Sequence, residues 1–109
     1  MLKNIKLKNF RSFETAEFDL SAPSTVFSGV NGRGKTSVLE AVYYVSTLRS
    51  FRTSRIRELH RIGSKGFELR LTTDRDGRWK RELKVEELTE RRLFFDNIPV
   101  RRASEFADS

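Results

Sequence analysis

The octapeptide Gly29-Val30-Asn31-Gly32-Arg33-Gly34-Lys35-Thr36 fits the pattern G-x-x-x-x-G-K-S/T. Upstream, Ser24 to Ser28 reads as a short strand; downstream, Lys35 to Leu48 reads as a helix. A strand that feeds a glycine-rich loop opening a helix makes a nest of backbone N–H groups. The helix end adds unpaired donors and the positive pole of its dipole. Such an arrangement suits a polyphosphate and places the chain in the α/β class.

Each residue type in the loop has a mechanical reason. Gly29, Gly32 and Gly34 let the backbone approach phosphate oxygens with no Cβ in the way. Asn31 can donate its amide to a phosphate, and Lys35 reaches the β- and γ-phosphates as a point charge. The Thr36 hydroxyl is the candidate ligand for Mg²⁺. Val30 and Arg33 complete the loop through their backbone amides. A dinucleotide-binding fingerprint is excluded, because Ser37 stands where its third glycine would fall.

The chain has 109 residues, so any core it builds alone is thin. It contains no run of about 18 apolar residues, which argues against a membrane span. The N-terminus has no apolar signal core, and the absence of cysteine removes disulfides and thiolate metal sites. A cytoplasmic protein is the expectation.

A formal charge of +7 favours an anionic partner beyond a nucleotide. The excess is uneven: residues 1–48 carry a net +2 and residues 49–109 a net +5. Between Arg49 and Arg61 five arginines face one glutamate, with Phe51 interleaved. Arg49, Arg52 and Arg55 are therefore candidate DNA contacts, since arginine grips phosphates and an aromatic stacks on bases. The competing reading is a solvated loop whose arginines pair with acidic neighbours.

Leu2 to Phe10 alternates apolar and basic residues through Ile5, Lys6, Leu7 and Lys8, the mark of a half-buried strand. Thr15 to Leu20 reads as a second strand. In the helix Val38, Leu39, Val42 and Val45 form one apolar stripe, widened by Ala41, Tyr44 and Leu48, which predicts packing on more than one side. Period-two alternation returns at 67–72 and 79–86, with a turn signal at Asp74-Arg75-Asp76-Gly77. Trp79 is expected to pack on this sheet. Arg92 to Phe95 reads as a further strand turning at Asp96-Asn97 toward Ile98-Pro99-Val100. Ala103 to Ser109 reads as the start of a helix.

A phosphate-loop ATPase also needs an apolar strand ending in Asp and usually Glu, to orient Mg²⁺ and the attacking water. Leu93-Phe94-Phe95-Asp96 has only three apolar residues, ends in Asn97 and is better explained as a hairpin turn. The single histidine, His60, is expected at the surface, and no catalytic residue is assigned.

Three blocks carry a family resemblance. They are Leu7-Lys-Asn-Phe-Arg-Ser-Phe13, Gly29 through Tyr43, and Arg49-Ser-Phe-Arg-Thr-Ser-Arg55. Together they resemble the N-terminal part of the RecF family of bacterial DNA replication and repair proteins, across essentially the whole chain. The first two blocks are shared with other structural-maintenance-type ATPase heads; the third is specific to this family. Two positions depart from the family pattern. Val30 stands where an acidic residue is common, and Leu48 where a glycine usually precedes Arg-Ser-Phe and would cap the helix.

The resemblance implies the N-terminal lobe of an ABC-type phosphate-loop head: strand, loop, helix and arginine-rich segment over 1–66, an antiparallel β-rich segment over 67–100, and the start of a helix over 101–109. It implies ATP and Mg²⁺ as ligands, with Gly29 to Thr36 on the phosphates and Arg11 and Ser12 near the nucleotide base. It implies binding to gapped or junction DNA, an ATP-dependent homodimer in the full-length protein, recombination mediator partners, and roles in replication, recombination and the SOS response. The full-length family is expected to be a slow DNA-dependent ATPase. Because the signature motif and the Asp-Glu strand are absent from these residues, the 109-residue chain alone is expected not to turn ATP over. The alternatives are another structural-maintenance-type head, which a long coiled coil would signal, and a basic nucleic-acid-binding module without ATP turnover.

Overall fold

Alternating apolar and basic residues shape the first strand, β1 (Leu2–Phe10), which buries Ile5, Leu7 and Phe10 while Lys6 and Lys8 stay exposed. Phe10 reaches the buried side because Asn9, at φ 55°, interrupts the two-residue period. β1 pairs with β2 (Phe13–Asp19) in a hairpin closed by Arg11 and Ser12. The computed structural model describes residues 2–21, 32–48, 59–75, 79–88 and 90–100.

The remaining strands among the described residues are β3 (Phe67–Arg75), β4 (Trp79–Glu87), β5 (Arg91–Phe95) and β6 (Ile98–Val100). They join the first hairpin in one six-stranded antiparallel sheet of order β2-β1-β3-β4-β5-β6. Among the described residues one helix, α1 (Gly32–Thr47), lies on the inner face. Its Val38, Ala41, Tyr44 and Val45 pack on Ile5, Leu7, Leu69, Leu71 and Val85, all buried. Phe67 sits at the centre of this contact, edge-on to Phe10 at 5.2 Å and to Tyr44 at 5.5 Å.

The outer face of the sheet is a ladder of charges. Lys84 pairs with Glu86 at 2.9 Å and Glu68 at 3.5 Å, and Arg70 with Glu68 at 3.4 Å and Glu82 at 3.5 Å. The Glu86 carboxyl is held below its ordinary pKa by the hydrogen bond from Lys84, against the opposing effect of burial. Lys84 also lies 4.8 Å from the ring centre of Phe94. These basic residues are therefore compensated across strands.

The elements differ from expectation in several places. α1 begins at Gly32 rather than Lys35, so part of the glycine-rich loop is already helical. β2 starts at Phe13, two residues early, because the turn at 11–12 is as short as a hairpin allows. Asp74 belongs to β3 rather than to a turn: it pairs with Lys80, and its carboxylate takes the Lys3 ammonium at 3.3 Å. Leu39 and Tyr43 are exposed, at 43% and 41%, so among the described residues only one face of α1 is covered. The Asp96-Asn97 turn is as expected. Both residues are left-handed, at φ 50° and 66°, the signature of a type I′ hairpin joining Phe95 to Ile98. The strand expected at 24–28, the turn at 76–78, the Trp79 side chain and the helix expected at 103–109 lie outside the described residues.

Candidate nucleotide-binding site

The first turn of α1 holds Gly32, Arg33, Gly34 and Lys35, with Thr36 opening the second. Lys35 is exposed, Thr36 half-buried and Ser37 buried. No acidic residue lies in that first turn, so nothing within it opposes an anion at the positive end of the helix. Gly29, Val30 and Asn31 lie outside the described residues. The structure thus describes the helical half of the phosphate loop, with Lys35 and Thr36 adjacent on its opening turns.

One helical turn beyond Thr36 is a residue that motif reading missed. Glu40 is fully buried (0% exposed) and holds the Arg11 guanidinium in a two-pronged pair, Nε to Oε1 and Nη2 to Oε2, both at 2.8 Å. The signal was present in the sequence: a glutamate interrupts the apolar positions 38, 41 and 45 of an otherwise buried helix face, and a buried carboxylate needs a partner. Arg11 is itself left-handed, at φ 53°. Its guanidinium is engaged with the helix, and Ser12 beside it is exposed.

The segment after the arginine-rich stretch returns to the same turn. Arg11 N donates to Leu59 O and Arg61 N to Asn9 O, each at 2.7 Å, and His60 bridges Phe10. His60 is half-buried rather than on the surface; its Nδ1 is 3.0 Å from Arg61 O and 3.3 Å from Ser64 Oγ. Arg49, Arg52 and Arg55 lie outside the described residues. Leu59 nevertheless fixes where that stretch ends, against the turn that carries Arg11.

A second polar cluster, in which Tyr44 and Glu87 are buried, holds the next turn of α1. The Tyr44 hydroxyl donates to Glu87 of β4, and Arg91 of β5 donates to Glu87 at 2.9 Å and to the Tyr44 oxygen at 3.2 Å. Burial, reinforced by the adjacent Glu87 carboxylate, pushes the Tyr44 pKa well above its ordinary value. Asp96, which ends the Leu93-Phe94-Phe95 run, is a turn residue, as its sequence suggested: its Oδ1 accepts from Glu82 N at 2.8 Å.

The family described as AAA domain matches residues 4–104. The chain belongs to this family. Among curated proteins it is similar to the DNA replication and repair protein RecF of a Cyanothece species, 38% identical over 106 residues, covering 96% of this chain and 28% of that protein. RecF of Chlamydia abortus is 35% identical over 102 residues, covering 94% and 28%. The chain therefore spans less than a third of the curated relatives it matches. A solved structure of the recombination mediator protein RecF-ATP in the RecFOR pathway superposes with a TM-score of 0.79 at 22% identity, over 97% of this chain and 30% of that one. The fold is that of an AAA-type ATPase head, and the resemblance to RecF read from the sequence is borne out.

Proposed function

We propose that this chain forms the ATP-binding portion of a RecF-like DNA replication and repair protein. The observation that carries it is the phosphate-loop sequence opening α1 within a head fold of this family. Gly29 to Thr36 take the phosphates, with Lys35 on the β- and γ-oxygens. The hydroxyl of half-buried Thr36 is a hard oxygen donor of the kind Mg²⁺ selects, so the site suits that ion. Arg11 and Ser12 lie toward the nucleoside, and Arg49, Arg52 and Arg55 contact DNA phosphates. The relatives' part in replication and repair supports gapped DNA and recombination mediators as partners, a homodimer around ATP, roles in recombination and the SOS response, and a cytoplasmic location. Among the described residues no helix is long and apolar enough to cross a membrane.

The test is ATP titration with and without Mg²⁺ on the wild-type chain and on Lys35→Ala. A clear loss of affinity in the variant is expected. Equal affinity in the two would remove the assignment.

A further inference from the structure

We infer that Glu40 is a positioning residue of the nucleotide site, acting through Arg11 to hold the β1–β2 turn against the helix that opens at the phosphate loop. The inference rests on the nucleotide-binding reading above and adds to it a residue outside the loop motif.

Three observations combine. First, Glu40 stands four positions after Thr36 on α1, so the two share a helix face, separated by about 6 Å along the axis. A ligand whose phosphates sit on the helix end must project its remaining part to one side of that end. The β1–β2 turn is pinned to the flank of α1 one turn away. Second, the turn is conformationally expensive. Asn9 and Arg11, two non-glycine residues in three positions, are left-handed at φ 55° and 53°, a state that persists only where surrounding contacts enforce it. Among the enforcing contacts are the backbone bonds to Leu59 and Arg61 and the two-pronged pair with Glu40.

Third, the pair cannot loosen cheaply. The Glu40 side chain has no solvent exposure, and that of Arg11 retains 22%. Withdrawing the guanidinium would take two charge-assisted hydrogen bonds from a fully buried carboxylate. Arginine suits this position because its planar fork matches both carboxylate oxygens and fixes an orientation, which a lysine ammonium does not. Glu40 therefore orients the turn that presents Ser12, while the phosphate contacts belong to the loop and Lys35. The ligand moiety that Glu40 influences is the nucleoside, not the triphosphate.

This division gives a readout that general loosening of the fold does not reproduce. ATP and inorganic tripolyphosphate, each with Mg²⁺, are titrated against the wild-type chain, Glu40→Gln, Arg11→Lys, Tyr44→Phe and Lys35→Ala, with thermal unfolding recorded for each. Glu40→Gln and Arg11→Lys are expected to weaken ATP about tenfold and tripolyphosphate less than twofold. Tyr44→Phe, which removes a buried hydrogen bond one helical turn further on, is expected to lower the melting temperature and leave the ratio of the two affinities unchanged. Lys35→Ala loses both ligands. Equal weakening of both ligands by Glu40→Gln and Arg11→Lys, or no change in either, overturns the positioning role while the Lys35 result still upholds the nucleotide site. Should Glu40→Gln fail to fold, Arg11→Lys alone carries the same comparison. Wild-type protein that binds neither ligand overturns the nucleotide reading, and this inference with it.

Discussion

The amide of Leu48 reaches the carbonyl oxygen of Tyr44 at 2.6 Å with Leu48 at φ 60°, so a leucine closes α1 in the conformation glycine favours. The capping geometry is kept although the residue expected there is replaced. Part of the cost is offset because the leucine side chain packs against the edge of the core.

Leu48→Gly alone mixes two opposing terms, so the informative comparison is Leu48→Gly against Leu48→Ala. Both lose the side chain, and only alanine keeps the left-handed strain. The glycine variant should be the more stable of the two by about 1 kcal/mol, read from urea unfolding midpoints. Equal midpoints would show that the left-handed cap costs nothing here.

Gly66 and Gly63 should respond differently to alanine. A Cβ at Gly66 would collide with the backbone carbonyl of Glu87, which the pairing of β3 with β4 prevents from moving aside. Gly63 has open space around it and only a left-handed φ of 91°. Gly66→Ala should cost about 3 kcal/mol or more, at the upper end of overpacking, and Gly63→Ala about 1 kcal/mol. Denaturant unfolding of the two variants measures the difference.

Tyr44 makes stability pH-dependent in the alkaline range. Its folded pKa lies above the ordinary value of 10.0, so the folded state binds the hydroxyl proton more tightly than the unfolded chain does. The resulting stabilisation is complete below pH 10 and is lost as pH rises beyond it, with a slope of up to about 1.4 kcal/mol per pH unit. Tyr44→Phe should lower stability at neutral pH by about 1 kcal/mol, the net worth of a buried hydrogen bond. It should also flatten the decline above pH 10. Parallel curves for wild type and variant would contradict this assignment.

Arg49, Arg52 and Arg55 should set the salt sensitivity of DNA binding. Each phosphate contact contributes roughly 0.9 to the slope of log affinity against log salt on duplex DNA. Replacing all three by alanine should flatten that slope by up to about three such increments. An unchanged slope would mean that these arginines pair within the protein, as the outer-face residues Arg70 and Lys84 do.

Much of this protein is local and was therefore legible. Glycines before Lys35-Thr36 announce a helix start, Ile5 and Leu7 between lysines announce a strand, and Asp96-Asn97 between apolar runs announces a hairpin turn. Each depends on backbone preference and period over a few residues. The order β2-β1-β3-β4-β5-β6 was not legible, because it brings Leu7 beside Leu69 across more than sixty residues of chain. Pairing at that separation is selected by the burial of a whole face. The same holds for the charges that matter most. Arg11 was named for its place after β1, yet only the packing of α1 showed that its partner is Glu40. Tyr44 belonged to the apolar stripe of the helix, while Glu87 and Arg91 fell just outside the strands read at 79–86 and 92–95, until the sheet brought the three together. Sequence determined which segments fold and where a phosphate can be held. Tertiary structure decided which polar groups are buried together, since desolvation makes an unpaired charge there too costly to keep.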